Sequence, residues 1–175
     1  RPITKNPTTN KLLVLNYFGS GNEFAEFTDS SPFGSGTTYS MSTTYTGGDY
    51  NDISYADIPG IGAYIYRMLG KTSVRKIDPT NYTSFTDITL PITLSSSYNN
   101  NNISLAYDGY GWWVTYYNST TWYATKFAPD FSTVLVSEQV IYAGAPSTSR
   151  ETGSCEFVAP NKLYVKSQFR NLLAQ

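Results

Sequence analysis

Trp112, Trp113, Tyr116, Tyr117, Trp122 and Tyr123 lie within one short stretch, and they include every tryptophan in the chain. Flat aromatic faces stack on sugar rings and anchor protein partners, so this stretch points to recognition. Neighbouring residues of an extended chain point to opposite sides, and the six therefore cannot all serve one surface. Trp113 shares its side with Leu13 and Leu163 of other segments and is expected in the core. Trp112 and Trp122, with Tyr110, Tyr116 and Asp108 close by, are the candidate ligand-binding residues.

Residues that could break bonds are scarce. The chain has no histidine and a single cysteine, Cys155, whereas nucleophile triads and zinc sites draw on those types. A lone cysteine also leaves no internal disulfide and is expected as a buried thiol. Carboxylates could still hold calcium or hydrolyse glycosides. No D-x-D-x-D-G loop is present, and Asp49, Asp52 and Asp57 near Gly47-Gly48 come nearest; they are expected as solvated loop acids. Asp108, in Tyr107-Asp108-Gly109-Tyr110-Gly111-Trp112, resembles the strand openings of propeller glycosidases, which set paired carboxylates at a central mouth. Asp-Gly is equally a turn signal, and Ile58 and Val158 stand at the equivalent places of neighbouring segments. The sialidase Asp-box is matched nowhere. No catalytic residue, metal site or cofactor is expected.

Charged residues make up 14% of the chain and the net charge is -1, too little basic surface to neutralise phosphates, so nucleic acid is not an expected partner. The longest apolar run, Lys11 to Phe18, is far too short for a bilayer span, and no membrane insertion is expected. Polarity comes from Ser, Thr, Asn and the 16 tyrosines, a balance that suits exposed β surface and extracellular, cell-surface or virion proteins. Sequons at Asn81, Asn102 and Asn118 are about as many as chance provides. A chain opening on Arg1 is expected to be processed or partial.

The elements that position these residues repeat every 50 residues: Ser54-Tyr55-Ala56, Ser104-Leu105-Ala106 and Ser154-Cys155-Glu156 align without gaps, each followed ten residues later by Tyr64, Val114 and Tyr164. Such a period marks stacked supersecondary units. Helical periodicity is almost absent and strand signals dominate. In one unit, strands are expected over 103–107, 112–117, 121–127 and 133–142. In the unit before it they fall over 52–58, 62–68, 72–77 and 84–94. Upstream, 11–18, 23–28 and 37–46 supply three more, and residues 1–10 could add the strand aligned with Ile53 to Asp57. Downstream, 154–158 and 162–168 repeat the first two. Pro79 and Pro129 occupy the turn after the third strand. Along the second strand both sides are apolar or aromatic: Leu13, Leu15, Ala63, Ile65, Leu163 and Val165, with Trp113 and Thr115, on one; Val14, Tyr64, Tyr66, Val114, Tyr116 and Tyr164 on the other. A meander apolar on both faces needs a neighbour on each.

Segments such as YIYRMLGKTSVRKIDPTNYTSFTDITLP and WWVTYYNSTTWYATKFAPDFSTVLV resemble β-propeller repeats of the YVTN-like or NHL-like kind, over roughly residues 11 to 168. No WD dipeptide closes the third strand, and the kelch double glycine is missing. The resemblance implies an all-β, β-propeller-like array of four-stranded antiparallel blades, about 3.5 to 4 of them. The units run approximately 1–50, 51–100, 101–150 and 151–175. They form either one domain, its last blade completed by the N-terminal strand, or part of a larger propeller. A β-sandwich or jelly roll is the alternative. The function expected is a non-enzymatic binding or structural module of a surface or virion assembly, such as a phage tail fibre, spike or adhesin. Its partner would be a receptor glycan, a neighbouring chain or the rest of a larger propeller. A carbohydrate-active enzyme, or a fragment of one, is the alternative.

Overall fold

The computed structural model of the protein describes residues 3–16, 23–28, 37–40, 52–96, 103–143, 152–158, 162–167 and 173–174. Every regular element among them is a strand. Gly47-Gly48, Asp49 and the sequon at Asn102 lie outside the described residues.

The described strands form four separate antiparallel sheets of three or four strands. The first holds β1 (Ile3–Asn6), β2 (Lys11–Asn16), β3 (Glu23–Thr28) and β4 (Thr37–Ser40). In the second are β5 (Ile53–Ile58), β6 (Gly62–Met68), β7 (Ser73–Ile77) and β8 (Phe85–Thr89). The third comprises β9 (Ser104–Tyr107), β10 (Trp112–Asn118), β11 (Thr121–Phe127) and β12 (Val134–Ala143), and the fourth β13 (Thr152–Val158), β14 (Lys162–Ser167) and β15 (Leu173–Ala174). Neighbours in sequence are neighbours in the sheet throughout. Residues 3–6 do supply a first strand for the first unit. The strand expected over 84–94 is shorter: it ends at Thr89, and the Leu90 and Leu94 N–H groups donate to the Thr72 and Lys71 carbonyls at 2.8 and 2.9 Å instead.

Sheets stack in chain order, with the first strands of consecutive sheets against one another. Three apolar layers fill the gaps. Leu13, Ile53, Ile65 and Ile77 lie between the first and second sheets. Ala56, Ile58, Tyr66, Met68 and Val74 meet Leu105, Trp112, Val114, Tyr116 and Phe127 between the second and third. Ala106, Tyr117 and Trp122 meet Cys155 and Val165 between the third and fourth. The second and third sheets are thus buried on both faces. With each large side chain contributing about 1.5–3 kcal/mol on burial, these layers are the main source of stability.

The second strands depart from the sequence expectation. First-strand residues Asn6, Ala56, Ala106 and Glu156 stand 50 apart, yet their cross-strand partners are Lys11, Tyr64, Trp113 and Tyr164. The turns differ in place and in length. Residues 7–10 separate Asn6 from Lys11 and 108–111 separate Tyr107 from Trp112, but only 59–61 separate Ile58 from Gly62. A one-residue slip carries every side chain of a strand to the opposite face. Leu13 and Ile65 therefore occupy one layer from opposite sides of it, and Trp112, not Trp113, enters the layer between the second and third sheets.

Asp52 ties three sheets together from the start of β5. Its N–H donates to the Ile103 carbonyl at 3.0 Å, its carbonyl accepts from the Met68 N–H at 3.4 Å, and its carboxylate accepts the N–H groups of Ile53 at 3.0 Å and Cys155 at 3.4 Å. It is buried, not the solvated loop acid expected from sequence, while Asp57 is exposed and Asp49 lies outside the described residues. Among the described residues no group of three His, Cys, Asp or Glu gathers.

Candidate functional site

The aromatic candidates divide by exposure. Trp112, Tyr116 and Trp122 are fully buried in the inter-sheet layers. Trp112 packs against Tyr66 at 4.5 Å, Tyr107 at 5.1 Å and Phe131 at 5.4 Å, and its indole N–H donates to the Pro129 carbonyl at 3.0 Å. The Tyr116 hydroxyl lies 2.9 Å from Thr125 Oγ1 and donates to Glu138 at 2.6 Å. These three hold the sheets together and offer no face to a ligand, which corrects their reading as a binding surface. Tyr110 alone of the set is open to solvent, 80% exposed at the tip of the β9–β10 turn.

Asp108 builds that turn. Its Oδ1 accepts the N–H groups of Tyr110 and Gly111, both at 2.9 Å, while Oδ2 accepts from the Trp113 indole at 3.0 Å and the Lys126 ammonium at 2.6 Å. Burial would raise the carboxyl's pKa, but the Lys126 hydrogen bond and charge, with the two amides, outweigh it and hold the group below the ordinary carboxylate range. A carboxylate with four donors on it is a turn fastener, not a general acid. Asp108→Ala is expected to cost about 2 kcal/mol of stability, because it strands a half-buried ammonium and two turn amides. Urea denaturation at pH 7 checks it, and a loss below about 0.5 kcal/mol would remove the fastening role.

A cleft of about 250 Å³ opens elsewhere, at the junction of the first and second sheets, lined by Thr9, Lys11, Glu26, Pro79, Thr80, Asn81, Tyr82 and Thr83. The turns after the first and third strands of a meander emerge at the same end. Residues 7–10 of one sheet thereby face residues 78–84 of the next. Glu26 lies at the base, its side chain 2% exposed. Its Oε1 accepts the Tyr82 hydroxyl at 2.6 Å and the Thr9 hydroxyl at 3.2 Å, and its Oε2 accepts the Lys11 ammonium at 2.8 Å. Asn6 braces the base, its amide donating to the Pro79 carbonyl at 2.8 Å and the Tyr82 hydroxyl at 2.9 Å. Burial, reinforced by the Glu26 hydrogen bond, pushes the Tyr82 hydroxyl up to about 12, so it stays a proton donor to Glu26.

Fifty residues further on, two of the matching positions are apolar. Counted along the sequence, Ile61 falls 50 after Lys11, though in the β5–β6 turn rather than at the head of a strand, and Phe131 falls 50 after Asn81; both pack into the layer between the second and third sheets. No cleft residue is a binding candidate from sequence: Pro79 reads as a turn residue and Asn81 as a chance sequon, and the lining comes from three separated segments. Their signal was a break in the period, with polar residues at two positions that the next unit makes apolar. No family model and no curated protein matches the chain.

Proposed function

We propose that this chain is a non-enzymatic binding module of an extracellular, cell-surface or virion assembly, and that the cleft between its first two sheets takes a receptor glycan. One observation carries the reading: a polar cleft stands open between the first two sheets, whereas at the next junction Ile61 and Phe131 pack into the apolar layer. A fold under selection for packing alone has no reason to put a carboxylate, an ammonium and a carboxamide there. In this reading the stack is a β-propeller-like array, supported by meanders in chain order, first strands side by side, and middle sheets buried on both faces.

The hydrolase alternative is weaker at this cleft. Glycoside hydrolysis uses two carboxylates about 5–10 Å apart. The lining has one, Glu26, and both of its oxygens are engaged.

Asn81 is exposed at the rim, so replacing it leaves the core intact. Asn81→Ala is expected to weaken glycan binding about tenfold, the equivalent of one good hydrogen bond, with an unchanged melting temperature. A glycan array followed by calorimetric titration of the hits measures this. Should no glycan be retained by the wild-type chain, the reading fails.

A further inference from the structure

We infer that the cleft selects uncharged, hydroxyl-rich sugars that donate hydrogen bonds, and rejects carboxylated or sulfated ones; this rests on the reading of the cleft as a glycan site. The inference follows from where the rim spends its protons. Thr80 Oγ1 donates to Asp78 Oδ1 at 2.7 Å, and Thr83 Oγ1 donates to Asn81 Oδ1 at 2.8 Å. A hydroxyl has one proton and two lone pairs, so both threonines offer the ligand acceptors. The backbone of this turn holds the pattern: Asp78 Oδ1 also accepts the N–H groups of Thr80 at 2.7 Å and Asn81 at 3.3 Å, and Asn81 Oδ1 that of Thr83 at 3.3 Å. Asn81 has its oxygen occupied by Thr83 and presents its amide N–H groups.

At the base, Glu26 adds a negative charge. The cation that balances it, Lys11, is bound to it at 2.8 Å. An anionic ligand would have to draw Lys11 away and leave a buried carboxylate without its countercharge, a costly exchange. A carboxylate or sulfate group brings acceptors alone to a site built mainly of acceptors, whereas adjacent sugar hydroxyls can donate to Thr80 and Thr83 while accepting from Asn81.

The test is a titration of the full chain with matched sugars: lactose and N-acetyllactosamine against their sialylated and sulfated forms, read by calorimetry or ligand-observed NMR. The neutral members are expected to bind at least about tenfold more tightly. Thr83→Val, which removes the acceptor, is expected to erase most of that binding, and Thr83→Ser to restore it. Equal or tighter binding of the charged forms, or a Thr83→Val variant that binds like wild type, overturns the selectivity while the glycan reading stands. Binding of neither, in a chain that also retains nothing on a broad glycan array, overturns both.

Discussion

Asp52→Asn is expected to make the protein more stable than wild type at pH 8 by about 2 kcal/mol, less stable at pH 5, and nearly indifferent to pH in between. The carboxyl is buried against three sheets, and desolvation raises its pKa from the ordinary 3.8 to about 7 against the opposing pull of the Ile53, Cys155 and Leu105 amides. A raised pKa means that the folded chain holds a proton which the unfolded chain has released. Its stabilising effect is complete below about pH 4 and is lost as the pH climbs through about 7. Across that window the penalty for the ionised form grows to a value on the order of 4 kcal/mol. Asparagine removes the charge but cannot accept the Cys155 N–H with its amide nitrogen and adds N–H groups to satisfy, which returns about 2 kcal/mol. The two stability curves should cross a little above pH 5.

The chain is unusually well suited to show this, because it contains no histidine, and burial pushes the Cys155 thiol well above its ordinary range. Asp78, Asp108 and Asp130 are held below the usual carboxylate range and act at lower pH, where they are protonated and their contribution is lost. Urea denaturation at pH 5, 6, 7 and 8 decides the matter. Parallel curves for the two chains would show that Asp52 is not the group that sets the slope.

Asp52 also shows where sequence reading runs out. It looked like a loop acid beside Gly47-Gly48, and nothing local says that Ile103 and Cys155 will close over it. Local signals served the strands well: Gly62–Met68 and Thr121–Phe127 begin and end where the alternation and turn residues put them. The period itself was legible because first-strand positions such as Ala56 and Ala106 keep the same side from unit to unit. It misled at the second strands, where a turn of three residues replaces one of four and the side of every following residue reverses. Trp112 is core rather than surface, and Trp113 is fastened to Asp108. The cleft was illegible for a different reason. Glu26, Lys11 and Tyr82 are brought together by stacking of sheets, and stacking leaves no spacing rule. The period still held the clue, in Asn81 against Phe131.

Phe131 is the residue whose loss should show what the open junction costs when it is not designed for. It is fully buried, stacks on Trp112 at 5.4 Å with 17° between the rings, and touches Tyr66 and Phe127 at 6.0 Å each. Its backbone, held by an N–H donated to the Ala128 carbonyl at 2.9 Å, has φ at +61°, a region that a bulky side chain seldom adopts. Packing of the ring outweighs that strain. Phe131→Ala is expected to cost about 3–5 kcal/mol, since it leaves a cavity beside Trp112. Phe131→Gly empties the same space but relieves the backbone, so it should be no less stable than the alanine variant, reversing the usual disadvantage of glycine of about 0.5–1 kcal/mol. Phe131→Asn copies the residue that lines the cleft one unit earlier. Here it would meet Tyr66, Trp112 and Phe127 rather than a polar base of Glu26, Lys11 and Thr9, and it should cost at least as much as alanine. Denaturation curves of the three variants, followed by tryptophan fluorescence, test the order. A loss below about 1 kcal/mol for Phe131→Ala would mean that the ring does not hold this layer, and with it would go the contrast between an apolar and an open junction on which the binding role of the cleft depends.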